Sequence, residues 1–367
     1  MRVLITGGGT GGHIYPALAI AKKMKKEIND IDLLYVGTEH GMEADIIPRE
    51  GFKFKTIRVE GFRRKLSLGT IKTINKLFVG MNDARKIVNN FKPDIVIGTG
   101  GYVCGPIVMT AALKKIPTVI HEQNAFPGVT NRILSRFVKS IACSFEESSK
   151  FFKNKEKIVV TGNPVRESFF DIDKEKAYKK LNINPNKKFV LSIGGSGGQK
   201  SLNQAMVYVI KRFNKHSDIQ LIHVTGKRHY DNFIKLLKDE GINNINKSIR
   251  IMPYLFDMPE ATSLADLVIT SSGAITIAEV TAVGAPTLLI PKGYTTENHQ
   301  EYNARALEQK KASVVLLEKE LTGEVLYKKI DALLKDEVRL KEMSEASKKL
   351  GKKDSIDEIY NLILKHL

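Results

Sequence analysis

The sequence predicts an α/β protein built of two Rossmann-like domains whose parallel sheets face a shared central cleft. Three observations carry that expectation. The apolar, β-branched run at residues 2–6 (RVLIT) delivers the chain into Gly7-Gly8-Gly9-Thr10-Gly11-Gly12-His13. The run at residues 189–193 (FVLSI) does the same into Gly194-Gly195-Ser196-Gly197-Gly198-Gln199-Lys200. Each loop then passes into a helical pattern, which is how a buried parallel strand offers backbone N–H groups and a helix N-terminus to an anion. The third observation is length: 367 residues are long for one core and comfortable for two.

The elements follow in order. In the first half, apolar β-branched runs predict strands at Val3–Thr6, Leu33–Val36, Ile95–Gly98, Thr118–His121 and Ser140–Ala142. Helical spacing predicts helices at Ile14–Lys26, Ile71–Asn90, Gly105–Lys115 and Val129–Phe137. After a further strand at Ile158–Val160, the turn residues Thr161-Gly162-Asn163-Pro164 mark a boundary. Domain one is therefore expected at 1–163 and domain two at 164–350, with 351–367 an amphipathic helix able to pack on either half. Strands in the second half are expected at Phe189–Ile193, Gln220–Thr225, Arg250–Met252, Leu267–Thr270, Thr287–Ile290 and Ser313–Leu316. The terminal helix presents Ile356, Ile359, Leu362 and Ile363 on one side.

Composition narrows the classes. No apolar run reaches 18 residues, and a strand and its glycine loop stand where a targeting segment would, so a cytoplasmic chain is expected. Cys104 and Cys143 make no disulfide framework and have no second thiol or histidine at metal-ligand spacing. The net charge of +18 raises a nucleic-acid reading. Lysines spread along the whole chain and the absence of any nucleic-acid motif count against it. Coding bias, anionic substrates and an anionic membrane surface remain as explanations.

The first loop contains Gly7-x-Gly9-x-x-Gly12, the dinucleotide spacing. The acid that should end the second strand is missing, because that strand closes on Tyr35-Val36-Gly37-Thr38. A nicotinamide reductase is thereby disfavoured. His13 stands at the start of a helix, where the dipole disfavours imidazolium and suits a general base. Two polar clusters, Gly100-Gly101-Tyr102-Val103-Cys104-Gly105-Pro106 and His121-Glu122-Gln123-Asn124, follow strands and should border the same cleft.

In the second half, Ser271-Ser272-Gly273-Ala274 opens a helix after a strand, with Glu279 one turn further in. That carboxylate could accept both hydroxyls of a ribose while the helix N-terminus at Ala274 faces phosphate. The loop Thr295-Thr296-Glu297-Asn298-His299-Gln300 could read sugar hydroxyls, which together suggests a nucleotide-sugar site. Asp30-x-Asp32 and Asp171-x-Asp173 are assigned no metal, since one pair leads into a strand and the other lies between the domains. One helix has a double character. Ile71, Ile74, Leu77, Phe78 and Met81 repeat at helical spacing among Arg63, Arg64, Lys65, Lys72 and Lys76. It is either an ordinary amphipathic helix or a patch that docks on an anionic membrane, at roughly 1 kcal/mol per basic residue.

These motifs, taken in order, resemble the MurG family of peripheral-membrane N-acetylglucosaminyltransferases from end to end. The segments GGTGGHIYPALA, GGYVCGP, HEQNAFPG, TGNPVR, GGSGGQKSLN, SGAITIAEVTAVGAP and NHQEYNA stand in the family's sequence. The resemblance implies a GT-B fold and an inverting transfer that uses neither metal nor cofactor. The donor would be UDP-N-acetylglucosamine. The acceptor would be the C4 hydroxyl of undecaprenyl-diphospho-N-acetylmuramoyl pentapeptide (lipid I), giving lipid II at the cytoplasmic face of the membrane. It also implies roles for single residues. His13 and Glu122 are rival bases, and Tyr102, His121 and Glu122 line the acceptor side. Thr10, Gly11, Gly12, Asn124, Arg166, Ser196, Leu255, Ala274, Glu279 and Gln300 match donor positions. Arg63, Arg64, Lys65, Lys72, Ile74, Lys76, Leu77 and Phe78 match the membrane patch. The chain departs from the pattern at GGSGGQKS, where many members have GGSQG, and at His299, where some carry a second glutamine. A UDP-N-acetylglucosamine 2-epimerase or a non-catalytic UDP-sugar-binding protein would share the donor pocket.

Overall fold

The structure, a computed structural model, describes residues 1–61, 68–195, 197–215 and 218–367, and of residues 68–75 and Thr296 the backbone alone. The chain divides into two compact units, one made of Met1–Pro164 with Asp354–Leu367 and the other of Val165–Lys353.

The first unit runs β1 (Arg2–Thr6), α1 (Gly11–Glu27), β2 (Asp32–Gly37), α2 (Glu43–Arg49), β3 (Lys53–Thr56), α3 (Leu68–Phe91), β4 (Ile95–Gly98), α4 (Cys104–Leu113), β5 (Thr118–Glu122), α5 (Val129–Leu134), β6 (Ser140–Cys143) and β7 (Ile158–Val160). All seven strands are parallel, in the order β3-β2-β1-β4-β5-β6-β7. Alternate residues of β1 serve opposite faces: Val3 and Ile5 pack with Ile14, Ala17 and Leu18 of α1, whereas Leu4 joins Val103, Ile107 and Val108 around α4. Neighbours β1 and β4 lie where the strand order reverses, so the loops after them open at a topological switch point.

The second unit runs α6 (Lys174–Leu181), β8 (Lys188–Ile193), α7 (Lys200–Phe213), β9 (Ile219–Val224), α8 (Tyr230–Asp239), β10 (Ile249–Met252), α9 (Met258–Leu264), β11 (Leu267–Thr270), α10 (Ala274–Val283), β12 (Thr287–Leu289), α11 (His299–Gln309), β13 (Ser313–Val315), α12 (Gly323–Lys335) and α13 (Glu337–Leu350). Its six parallel strands are ordered β10-β9-β8-β11-β12-β13, with the switch point between β8 and β11.

The chain then returns to the first unit as α14 (Ser355–Leu364). Its Ile359, Leu362 and Ile363 are buried with Ile14, Ala17 and Leu18 of α1. Asp357 pairs with Lys23 at 2.7 Å, and the Ser355 hydroxyl donates to the Asn163 carbonyl at 2.8 Å.

Some expectations need correcting. The helix expected at Val129–Phe137 ends at Leu134, where the Ser135 hydroxyl donates back to the Arg132 carbonyl at 2.8 Å and the chain turns toward β6. Strand β3 carried no sequence signal: Lys53-Phe54-Lys55-Thr56 is a short edge strand, and lysines are what such an edge uses to stay unpaired. The acidic pairs have structural partners. Asp32 meets Lys53 at 2.6 Å, and Asp173 caps α6 by accepting from the Lys176 N–H at 3.1 Å.

Candidate active site

In the first unit the site grows from the loop after β1. That loop rests on Glu43, the first residue of α2, which is fully buried. Its Oε2 accepts from the Gly9 N–H at 3.1 Å, while Oε1 accepts from the Thr38 N–H at 3.0 Å and the Thr38 hydroxyl at 2.8 Å. A Cβ at Gly8 or Gly41 would collide with this carboxylate. The Tyr35 hydroxyl donates to the Gly7 carbonyl at 2.6 Å from beneath. Thr10 is the N-cap of α1 and makes no side-chain cap bond. In the first turn the His13 N–H donates to the Thr10 carbonyl at 3.1 Å, and the N–H groups of Gly11 and Gly12 are left as unpaired donors among the described residues. Tyr102 lies over Gly9, 3.5 Å from where a Cβ would stand.

His13 is half-buried, and its ring lies against Gly100, where a Cβ would come within 2.7 Å of Nδ1. Gly100 has a φ of +105°, so both conformation and space demand glycine there. Nδ1 lies 3.1 Å from the Thr99 carbonyl and 3.0 Å from Gln123 Oε1. Nε2 has no partner among the described residues. The Gln123 amide nitrogen in turn lies 2.7 Å from the Thr99 carbonyl, 3.0 Å from His121 Nδ1 and 3.2 Å from the His121 carbonyl.

His121, expected on the acceptor side, is turned into the protein. It is 1% exposed, and its Nε2 lies 3.2 Å from the Gly162 carbonyl and 3.1 Å from the Ser144 hydroxyl. Burial pushes its pKa down to about 4. Glu122 is likewise committed. Oε1 accepts from the N–H and amide of Asn124 at 3.0 and 3.3 Å, and Oε2 accepts from the Gly128 N–H at 3.1 Å and Asn131 at 2.9 Å. The carboxylate thus accepts from four donors and holds the loop from Asn124 to Gly128.

In the second unit, β8 enters the loop Gly194–Gln199 and α7 leaves it. Gly195 and Gly198 have φ of +78° and +74°, and the Gly198 N–H donates to the Gly195 carbonyl at 3.0 Å. Across the switch point, Gly273 is the N-cap of α10 and makes no side-chain cap bond, so the positive end of that helix lies at the end of the sheet. Arg166, matched to a donor position, and Glu279, expected to hold the ribose, meet in a hydrogen-bonded ion pair at 2.9 Å. Burial raises the Glu279 carboxyl above its usual range and Arg166 opposes that rise. Gln300 accepts from the Lys292 N–H at 3.0 Å through Oε1, and its amide nitrogen has no partner among the described residues. Leu255 buries its side chain against Val224 and Ala261, while its own peptide has no intrachain partner among the described residues.

Three functional groups escaped the sequence reading. Glu43 opens what reads as an ordinary amphipathic helix. Lys292 extends Nζ to the Gly198 carbonyl at 2.9 Å, and Arg228 comes within 3.4 Å of where a Cβ at Gly197 would stand. Burial lowers the Lys292 ammonium below the usual lysine range. A lysine in a lysine-rich chain carries no sequence signal of its own. Of the expected site residues, Arg63, Arg64, Lys65 and Ser196 lie outside the described residues, as do the side chains of Lys72 and Ile74.

Comparison with known proteins gives a consistent answer. The glycosyltransferase family 28 N-terminal domain matches residues 3–143, and the family's C-terminal domain matches residues 189–359. A protein of Thermoanaerobacter sp. (strain X514), named UDP-N-acetylglucosamine--N-acetylmuramyl-(pentapeptide) pyrophosphoryl-undecaprenol N-acetylglucosamine transferase, is 52% identical over 99% of both chains. The crystal structure of Acinetobacter baumannii MurG superposes with a TM-score of 0.80 at 28% identity, covering 99% of each chain. A Neisseria meningitidis UDP-GlcNAc 2-epimerase bound to UDP-GlcNAc shares the fold, with a TM-score of 0.67 at 16% identity over all of both chains.

Proposed function

The chain belongs to the MurG family within glycosyltransferase family 28, and from that premise we propose how its residues divide the reaction. It is a hexosyltransferase of GT-B fold that moves N-acetylglucosamine from UDP-N-acetylglucosamine to lipid I, forming lipid II in peptidoglycan synthesis. The observation that carries this is full-length identity of about half to proteins named for that activity. The epimerases share the fold at far lower identity.

His13 is the general base. Its Nε2 has no partner among the described residues and stands in the first turn of α1, whereas the rival carboxylate of Glu122 already accepts from four donors. Nε2 removes the proton from the C4 hydroxyl as that oxygen attacks the anomeric carbon from the face opposite UDP. The carbon–oxygen bond to the diphosphate breaks, and negative charge grows on the leaving group. The N-terminus of α10 at Ala274, together with Arg166 and Lys292, suits that charge without a metal ion. Glu279 takes the ribose hydroxyls once Arg166 turns to phosphate, the free peptide of Leu255 reads the base, and the Gln300 amide donates to the sugar. Thr10, Gly11, Gly12, Asn124 and Ser196 complete the donor contacts, and Tyr102 serves the acceptor. The expected domain division then becomes functional, with acceptor and membrane on the first unit and nucleotide on the second.

No helix among the described residues is long and apolar enough to cross a membrane. Surface attachment to an anionic membrane falls to α3, where Phe78 is 69% exposed beside Leu77 and Lys76, joined by Leu113 at the end of neighbouring α4. On this reading the enzyme works as a peripheral protein at the cytoplasmic face of the membrane, and the spread of its lysines along the whole chain speaks against a nucleic-acid partner.

The decisive experiment follows UDP release from UDP-N-acetylglucosamine with and without a short-chain lipid I analogue. Acceptor-dependent release with a disaccharide product is expected. Formation of the manno epimer without acceptor would identify an epimerase, and UDP binding without chemistry would leave a binding protein.

A further inference from the structure

The starting point is the proposal that His13 is the proton acceptor. We infer that Gln123 is a positioning residue that holds His13 in the one tautomer able to take a proton at Nε2.

The argument runs through hydrogen-bond polarity. The Gln123 side chain can be placed with its oxygen or its nitrogen toward His13, and two carbonyls decide which. Thr99 O at 2.7 Å and His121 O at 3.2 Å both face the same end of the amide. Neither can donate, so that end is the NH₂ group. The oxygen therefore faces His13 Nδ1 at 3.0 Å, where the Thr99 carbonyl also stands at 3.1 Å. Nδ1 is thus surrounded by acceptors only, and an unprotonated nitrogen there would confront two oxygen lone pairs. The proton sits on Nδ1, and the free lone pair is on Nε2.

His121 keeps the amide from turning. Its Nε2 faces the Gly162 carbonyl at 3.2 Å, so that nitrogen carries the ring proton and Nδ1 accepts from Gln123 at 3.0 Å. The ring is buried and neutral, so it holds Gln123 without competing for the proton that His13 accepts. The Gln123 main chain is fixed as well, with its carbonyl accepting from the Asn163 amide at 3.1 Å. An amide, not a carboxylate, backs the base. It selects orientation and tautomer without offering the counter-charge a carboxylate would give an imidazolium.

Two-bond ¹H–¹⁵N correlation spectra of the ¹⁵N-histidine-labelled wild-type protein test this directly, with His13→Ala used to assign the ring. His13 should appear protonated at Nδ1 and bare at Nε2, and a His13 protonated at Nε2 overturns the inference without any substitution that might disturb folding. In the Gln123→Met protein only the Thr99 carbonyl still faces Nδ1, so the Nδ1-protonated form should lose population to the Nε2-protonated one. Its kcat should fall about 10- to 100-fold, as supporting partners of functional histidines do on removal, while the KM for UDP-N-acetylglucosamine stays unchanged. A folded Gln123→Met protein with wild-type kcat also overturns the inference. Normal turnover by His13→Ala would instead remove the base assignment itself, so the two failures are told apart.

Discussion

The loops at Gly7–His13 and Gly194–Lys200 share a strand, a run of glycines and a helix, yet their surroundings carry opposite charge. Beneath the first lies the buried carboxylate of Glu43, and the helix that follows brings His13 to the end of the sheet. Beside the second stand two cations, Lys292 and Arg228, with Glu318 near the lysine, and its helix opens without a histidine. An identical backbone device therefore does two jobs. At the first loop the glycines let Glu43 approach the backbone, Gly100 after β4 makes room for the His13 ring, and the proposed product is a proton acceptor. At the second they leave room at the edge of a cationic rim, which suits a leaving diphosphate. Glycine spacing announces that something comes close to the chain, and the neighbouring side chains decide what.

Breaking the first loop's chemistry should give the largest effect. The His13→Ala protein should lose roughly 10²- to 10⁴-fold in kcat, the usual share of general base catalysis, with little change in donor KM. A near-normal kcat would remove the distinction between the loops. The next effect concerns acid. His121 titrates near 6.5 in the unfolded chain but is held down to about 4 by burial in the folded one. Its neutral form is the folded one, so its contribution is complete above 6.5 and lost as pH falls toward 4. The interval corresponds to about 3 kcal/mol. Urea unfolding at stepped pH should record the loss, and the His121→Gln protein should lose less over the same interval.

Glu43→Gln sharpens the contrast at the backbone. One end of an amide can still accept from Thr38, but its NH₂ group must then face the Gly9 N–H. That conflict should cost about 1–3 kcal/mol, read as a lower midpoint of unfolding. An unchanged midpoint would mean that the carboxylate does not hold the loop. Lys292→Met tests the second rim and should be the smallest effect. Loss of one charge-assisted contact, about 1.5 kcal/mol, should raise the KM for UDP-N-acetylglucosamine roughly tenfold and leave kcat less affected. A fall in kcat with unchanged KM would move the lysine from binding to chemistry.

The elements that were legible are those with a local cause. Buried parallel strands such as Val3–Thr6 and Leu267–Thr270 read as apolar runs because both faces are covered, and the glycine loops stand out because little else tolerates their dihedrals. Strand β3 was not legible, since a four-residue edge strand with two lysines has no periodicity to show. Within the site, the sequence placed His13 at a helix start and Glu122 and Gln123 at a strand end, but could not rank His13 against Glu122. Lone-pair accounting favours His13: Glu122 has four donors and His13 Nε2 has none among the described residues, and the contact that faces the other His13 nitrogen, from Gln123, joins residues 110 positions apart.

By itself, then, the sequence determined the α/β class, the doubled glycine loops and the family, because each rests on residue type and spacing along the chain. Only the tertiary structure decided that α14 packs on α1, that Glu43 supports the first loop, that Arg166 meets Glu279, and which nitrogen of His13 faces oxygen. Each of those depends on a polar or apolar group finding its partner across the sheet, and the physical need to satisfy a buried group names the kind of partner but never its number in the chain.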